Sequence, residues 1–201
     1  GQIWVQVPRT LAMHWAGRLS PGVSAKDMML HMIGRFGMNG GQYQAVEFAG
    51  EAVSALSMPE RMTLSNMSAE LGAQVGLIAA DDTTVTHLRQ CGVSEDRLQY
   101  ALQWRGDAGA EQERFDFDAS TLAPQVAAPH SPANVHAVDA LSDVKPTIAY
   151  IGACTGAKLE DLRAAARVLR GRQVAAGVQL LVAPASAREQ AQAEREGVMQ
   201  V

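Results

Sequence analysis

A single cysteine stands between two glycines in the segment 150–158, where a strand-like run gives way to a helix-like run. In open α/β sheets, ligands bind at the carboxyl ends of the strands. A thiol placed ahead of a helix N-terminus is favoured as the thiolate, the form that binds metals and attacks electrophiles. Cys154 is therefore a candidate metal ligand or nucleophile. Spacing alone favours the alternative, a small buried residue in a turn that Gly152 and Gly156 permit.

Asn66 and Glu70 form a second candidate pair, because they stand four residues apart in a segment that the sequence predicts to be helical. Residues at this spacing share one face of a helix. An amide and a carboxylate on one face can orient a substrate carboxylate, a water molecule or a histidine. Spacing alone favours the simpler explanation, which is a solvated helix surface.

The remaining polar motifs indicate structure rather than chemistry. The turn around Cys154 lacks the Gly-Lys-Ser/Thr ending of a P-loop, and its two glycines are too few for a dinucleotide-binding fingerprint. Asp81 is better explained as a helix N-cap than as a cation ligand. The histidines at 14, 31 and 87 are scattered and have no metal-ligand spacing.

Hydrophobic periodicity and helix-start signals predict alternating strands and helices that position these residues. Ser24 and Ser57 begin helices, the first of which buries Met29, Met32, Ile33 and Phe36. The last section alternates strand and helix twice, which predicts a parallel sheet with right-handed crossovers. The predicted strands cover 2–7, 45–49, 75–79, 147–152 and 178–183, with another around 115–117; the later helices cover 57–71, 83–90, 95–104, 158–169 and 186–196, and 123–143 is an ordered loop.

The composition limits the class of protein. Hydrophobic residues make up 47% and charged residues 19% of the 201 residues, a balance typical of a soluble α/β protein rather than of a disordered chain or a coiled coil. The net charge of −4 gives no electrostatic reason to expect nucleic acid or a membrane surface as a partner. No apolar run approaches the roughly 20 residues that span a bilayer. Two cysteines are too few for a disulfide framework and predict a reducing, cytoplasmic setting.

Five segments resemble, in order and at similar spacing, the aconitase-type iron–sulfur hydro-lyases. Residues 66–73 read Asn-Met-Ser-Ala-Glu-Leu-Gly-Ala, and residues 151–156 resemble the family's Gly-Ser-Cys-Thr-Asn segment. The other three segments are 24–27, 45–48 and 124–132. The resemblance is strongest to the large subunits of the 3-isopropylmalate dehydratases, at 50–53, 57–63 and 171–175.

This resemblance implies an aconitase-like, three-layer α/β/α fold with a mostly parallel sheet. The second domain of the family would cover 1–113, with a polar, turn-rich boundary at 106–113. The start of the third domain would cover 114–201 and stop before the family's Cys-x-x-Cys. Both ends of the chain are therefore expected to be cuts through a longer protein.

The resemblance also implies roles for the candidate residues. Cys154 would be one of three thiolate ligands of a 4Fe–4S cluster, and Asn66 would lie beside the cluster and the substrate. Glu70 would pair with an active-site histidine from the first domain. The expected reaction moves a hydroxyl group between neighbouring carbons of a small hydroxy-polycarboxylate, as in the isomerisation of isopropylmalate in leucine biosynthesis. A separate small subunit is the expected partner.

Some residues depart from the family pattern. Ala153 and Gly156 replace the serine and asparagine of the cluster segment, and Ser65 stands where many relatives have cysteine. The other two cluster cysteines are absent, so this chain by itself is not expected to hold the cluster or to be active. Two alternatives stay open: a related hydro-lyase, such as homoaconitase, aconitase or a citraconate or methylmalate enzyme, and a cluster-free, non-catalytic α/β module that binds a partner or a small acid.

Overall fold

The computed structural model describes residues 2–107, 109–111 and 113–200. By its internal contacts the chain divides into two compact units, Gly1–Ala140 and Leu141–Val201. In chain order, the elements of the first unit are β1 (Thr10–Ala16), α1 (Ala25–Phe36), β2 (Ala45–Ala49), α2 (Glu51–Ser54), α3 (Met58–Met67), β3 (Val75–Ile78), α4 (Asp82–Gln90), α5 (Glu95–Ala101), β4 (Glu113–Asp118), β5 (Gln125–Ala127) and β6 (Val135–Ala137). Those of the second unit are β7 (Ile148–Ile151), α6 (Leu159–Leu169), β8 (Gln179–Val182) and α7 (Ala187–Arg195).

The first unit is built on a four-stranded parallel sheet with the strand order β3-β2-β1-β4. Side chains alternate along β1, and Leu11, Met13 and Trp15 point into the core. Trp15 lies opposite Phe117 of β4, and the two rings stack with their centroids 4.5 Å apart. This stacking joins β1 to the edge strand β4.

Helix α1 starts where the sequence predicts. The backbone N–H and the hydroxyl of Ser24 both donate to Asp27 Oδ2 at 2.7 Å, which closes a capping box. The predicted inner face is confirmed for Met29, Met32 and Ile33, which are fully buried, and Phe36 at the end of the helix is half-buried. The helix thereby supplies much of the layer that packs against the sheet.

A buried arginine connects α3 to α4. Arg61 is 2% exposed and donates from both terminal nitrogens to Asp81, at 2.6 and 2.7 Å. It also donates to the carbonyl oxygens of Ser54 and Leu56. Asp81 accepts in addition from the backbone N–H groups of Thr83 and Thr84, which confirms it as the N-cap of α4.

The second unit repeats the strand–helix alternation on a smaller scale. Strands β7 and β8 are parallel, as predicted, and α6 connects them. Its buried apolar residues are Ala157, Leu162, Ala166 and Ala193, and Ala157, Leu162 and Ala193 form one contacting cluster. Several large apolar side chains of its sheet remain exposed, among them Ile148 and Tyr150.

Three predictions of local structure are wrong. Residues 2–9 form no strand; β1 begins at Thr10, where pairing with Ala45 of β2 begins, and Ile3 and Trp4 remain exposed. Helix α3 ends at Met67 rather than near 71, and the N–H groups of Ala69 and Glu70 donate to the carbonyls three residues before them, Asn66 and Met67. The predicted loop 123–143 contains the antiparallel pair β5 and β6.

The compact units do not follow the boundary that the sequence predicts at 113/114. Strand β4 pairs along its length with β1, so the segment after 113 still belongs to the first sheet. The contacts divide the chain between Ala140 and Leu141 instead. The predicted boundary concerns domains of the resembled family and stays a prediction. Within the described ranges, no helix is long and apolar enough to cross a membrane.

Candidate functional site

Cys154 lies in the turn between β7 and α6, as the sequence predicts, and is exposed. It is not the small buried residue of the alternative explanation. Ala153 and Ala157 have φ values of 80° and 56°, in the left-handed region that side chains with a Cβ rarely adopt. The turn thus holds two unfavourable backbone conformations around an exposed thiol, a pattern that is concentrated at functional sites.

Two backbone N–H groups at the start of α6 donate to carboxylates of the second unit. The backbone N–H of Lys158 donates to Asp161 at 3.1 Å, and that of Leu159 donates to Glu189 at 2.6 Å. Two carboxylates therefore occupy the positive end of the helix.

Asn66 is exposed on the last turn of α3 and lines a groove between this helix and β3. The groove has a volume of about 640 Å³, and Arg61, Val75, Leu77 and Thr84 also line it. Its walls combine apolar side chains with the Asn66 amide and the Thr84 hydroxyl. Small-molecule sites in proteins have volumes of roughly 300–1,000 Å³, and this groove is within that range.

Glu70 lies outside α3, so the prediction that it shares a helix face with Asn66 is wrong. It belongs to the turn 68–72, in which its N–H donates to the carbonyl of Met67 at 3.1 Å. The Glu70 carboxyl is half-buried, and its Oε2 atom is buried without a hydrogen-bond partner among the described residues. Such an atom loses its hydration without compensation, which is unfavourable by about 1–3 kcal/mol or more.

The structure brings the candidate residues together only in part. Asn66 lies in the last turn of α3 and Glu70 in the turn after it, but Glu70 does not line the groove that contains Asn66. Cys154 belongs to the second compact unit. Within residues 2–107, 109–111 and 113–200, no group of three or more His, Cys, Asp or Glu side chains is arranged to hold a metal ion.

The amino-acid sequence of the chain matches a known protein family along its length. Residues 1–145 and 139–201 match the model of the aconitase family (aconitate hydratase). The chain belongs to the aconitase family. Its mostly parallel sheets with flanking helices agree with the aconitase-like α/β fold class that the sequence predicts.

The relatives of this aconitase-family chain are named as dehydratase subunits. The 3-isopropylmalate dehydratase large subunit of Moorella thermoacetica is 39% identical over 201 residues, which cover 99% of this chain and 46% of the relative. That of Oleidesulfovibrio alaskensis is 40% identical and covered to 47%. The 2,3-dimethylmalate dehydratase large subunit of Eubacterium barkeri is 42% identical over 188 residues, 92% of this chain and 44% of the relative. The chain spans about half the length of these curated relatives.

This aconitase-family chain has one cysteine placed to serve as a ligand of an iron–sulfur cluster. The Cys154 thiol is exposed at the carboxyl end of β7, where a bound group can reach it. Iron–sulfur clusters are held by several cysteine thiolates. The other cysteine, Cys91, lies in the first compact unit at the end of α4. The residues thus fit a role for Cys154 as one ligand of a cluster completed from elsewhere.

Sequence reasoning missed a second cavity, of about 360 Å³, next to the Trp15–Phe117 stack. His31 and Arg35 of α1 line it, and the guanidinium carbon of Arg35 lies 5.2 Å from the Phe117 ring centroid. Burial, and secondly the charge of Arg35, lower the pKa of His31. The four-residue spacing of His31 and Arg35 was visible in the sequence. Their proximity to Phe117, which follows more than 80 residues later, was not.

Proposed function

We propose that this chain is part of the large subunit of a 4Fe–4S-dependent hydro-lyase that isomerises 2- and 3-isopropylmalate by dehydration and rehydration. The observation that carries the proposal is the match, over at least 99% of this chain, to large subunits named 3-isopropylmalate dehydratase. Their names also support a separate small subunit as the partner. The order of segments around Asn66, Glu70 and Cys154 supports the same proposal.

Cys154 would hold the cluster as one of three thiolate ligands, with the other two supplied from outside this chain. A cluster iron with an open position supplies Lewis acidity, which stabilises the hydroxide that leaves the substrate. The position of Cys154 in the turn after β7, at the carboxyl end of a parallel strand, supports this role. The left-handed φ values of Ala153 and Ala157 would fix the direction of the turn.

Glu70 would accept a hydrogen bond from an active-site histidine of another domain. Its buried Oε2 atom, without a partner in the described part of the chain, supports this role. A carboxylate that accepts from one imidazole nitrogen fixes the tautomer and orientation of the ring. The other nitrogen can then exchange a proton with the substrate. Asn66, exposed on the groove beside α3, would orient a substrate carboxylate.

We further propose that the protein works in leucine biosynthesis in the cytoplasm. Two cysteines among 201 residues support a reducing compartment. The acidic balance, with a net charge of −4, supports a small-molecule substrate rather than nucleic acid.

A second candidate function is the dehydration of 2,3-dimethylmalate. The relative with that name is 42% identical to this chain, whereas the two isopropylmalate enzymes are 39% and 40% identical. The substrates differ in the alkyl substituents of a malate skeleton. Discrimination between such substituents in an apolar pocket is modest, about 10- to 200-fold per methylene group. The two functions therefore have to be compared directly.

The test uses the large subunit that carries this chain, produced with its small subunit and reconstituted anaerobically with iron and sulfide. We expect a broad visible absorption from the cluster and faster turnover of isopropylmalate than of 2,3-dimethylmalate. The reverse preference would establish the second candidate. Cys154→Ser should remove the cluster absorption and the activity together. A Cys154→Ser variant that remains active, or a wild-type protein that never acquires the absorption, would refute the role of Cys154.

A further inference from the structure

A histidine and a cysteine that the proposed hydro-lyase site does not use lie side by side at the end of α4. His87 and Cys91 stand four residues apart, so both project from the same side of the last helical turn. The Cys91 Sγ atom lies 3.8 Å from His87 Nε2. The histidines alone have no metal-ligand spacing, and His87 gains a possible partner only in Cys91, one helical turn later.

The distance between the two atoms is close to the distance between two ligand atoms of a tetrahedral metal ion. Zinc–sulfur and zinc–nitrogen bonds of roughly 2.3 and 2.05 Å at a tetrahedral angle place the two ligand atoms about 3.6 Å apart. The same bonds at a right angle, as in octahedral coordination, would place them about 3.1 Å apart. The observed 3.8 Å is closer to the tetrahedral value. A rotation of the exposed Cys91 side chain by a few degrees removes the difference.

The electrostatic surroundings favour a cation at this position. Helix α4 ends at Gln90, and Cys91 is its C-cap, so the pair lies at the negative end of the helix. The nearby cation, Arg89, is occupied by Glu95, to which it donates two hydrogen bonds of 2.7 and 3.0 Å. A bound cation would therefore not face an uncompensated positive charge from Arg89.

We propose that His87 Nε2 and Cys91 Sγ form a two-ligand site for a thiophilic, tetrahedral divalent cation of the zinc class. An imidazole and a thiolate are the donors that such ions prefer. Binding replaces the S–H bond of Cys91 with a metal–sulfur bond and releases the proton to solvent. No third His, Cys, Asp or Glu joins the pair in the described part of the chain, so water completes the coordination shell. The site does not use the proposed cluster ligand Cys154.

Cobalt(II) is the probe, because its thiolate complexes show a charge-transfer band in the near ultraviolet and zinc displaces it. The reduced 201-residue chain is titrated anaerobically, and we expect the band to saturate at one ion per chain and to disappear when Zn²⁺ is added. His87→Gln should weaken binding by at least about tenfold, because losing even an outer-shell partner of a ligand costs about 10- to 100-fold. Cys91→Ser should remove the band.

Cys154→Ser is the matched control. It removes the other exposed thiol, but the residue four positions before Cys154 is Tyr150, which offers no imidazole. We expect this variant to keep the band and the affinity of the wild-type chain, and far-ultraviolet circular dichroism confirms that each variant is folded. The proposal would be overturned if the band survived in Cys91→Ser or disappeared in Cys154→Ser. It would also be overturned if His87→Gln bound cobalt as tightly as the wild-type chain, or if the wild-type chain showed no band.

Discussion

The two compact units of this chain use the same alternation of strands and helices but differ in how much apolar surface they bury. In the first unit, Trp15 and Phe48 are each 1% exposed, within a core that extends across four strands. In the second unit, Ile148 and Tyr150 are each 58% exposed on a sheet of two strands. A sheet must cover its apolar face with another layer to be stable. The first unit covers the apolar face of its sheet, whereas the second leaves apolar side chains of its sheet exposed.

The local signals that start helices are alike in both units. Ser57 accepts from the N–H of Glu60 at the start of α3, and Ser186 accepts from the N–H of Glu189 at the start of α7. Local hydrogen bonds therefore select the elements in both regions, whereas burial determines how strongly each unit is held together. This difference predicts that equivalent substitutions will have unequal effects in the two units.

The largest expected effect is that of a leucine truncated in each core. Leu64 of α3 is fully buried among the side chains of the first unit, so Leu64→Ala should lower the free energy of unfolding by about 4 kcal/mol. Leu162 of α6 is buried in a cluster of only three core residues, and Leu162→Ala should cost about 2 kcal/mol because that site can collapse more easily. Urea unfolding measures the first change and amide hydrogen exchange of α6 the second.

Tryptophan fluorescence separates the two readouts, because the residues at 4, 15 and 104 all belong to the first unit. Val168→Ala serves as the control in the second unit, since Val168 is 62% exposed and should tolerate truncation. Equal losses for the two leucines would show that the second unit is as well packed as the first, and the contrast between the units would then be wrong.

The sequence predicted the elements of both units well, because caps and periodicity are local. The strand–helix alternation after residue 147 and the start of α1 at Ser24 are confirmed. The errors occurred at the ends of elements, where the chain contacts segments that are distant in sequence. Residues 2–7 alternate like a strand, but pairing of β1 with β2 begins only at Thr10. Helix α3 was predicted to end near 71 but ends at Met67. In the turn that follows, the carbonyls of Leu71 and Gly72 accept hydrogen bonds from the N–H groups of Gly41 and Tyr43.

The candidate site was predictable only as a set of residues. Cys154 stands in a turn whose glycines and position after a strand are visible in the sequence, and its exposure agrees with a ligand role. The environment of Glu70 was not predictable, because it depends on the early end of α3 and on the turn 68–72 that follows it. The roles of Asn66, Glu70 and Cys154 stay predictions that rest on the family resemblance.

An intermediate loss of stability is expected when the ion pair between the buried Arg61 and Asp81 in the first unit is broken. Arg61 is 2% exposed, and its hydrogen bond to Asp81 is the main reason that the pKa of this carboxyl is lowered from 3.8. Asp81→Asn keeps the N-cap of α4 but removes the charge. Asp81 is 39% exposed and partly screened by solvent, so we expect a loss of about 1–2 kcal/mol at neutral pH. Urea unfolding at several pH values measures it.

The sign of the pH dependence follows from the lowered pKa. The folded protein holds the Asp81 carboxylate in its charged form, so the stabilisation is complete above about pH 4 and is lost as the pH falls through the lower folded value. The wild-type protein and Asp81→Asn should therefore converge in stability at acidic pH. Asp82→Asn, at the adjacent position, is the control. A difference between wild type and Asp81→Asn that stays constant down to acidic pH would exclude this ion pair as its source.

The smallest effect is expected at the helix caps, where the comparison between the units becomes sharpest. Ser57→Ala removes the acceptor for the Glu60 N–H and should cost about 1 kcal/mol, measured by urea unfolding of the first unit. Ser186→Ala removes the same kind of hydrogen bond from α7, but few buried contacts connect that helix to a core. Its effect should appear as faster amide exchange in α7 without a shift of the tryptophan-detected transition. A shift of that transition by Ser186→Ala would mean that the two units unfold together, because a local cap can change global stability only through cooperative contacts.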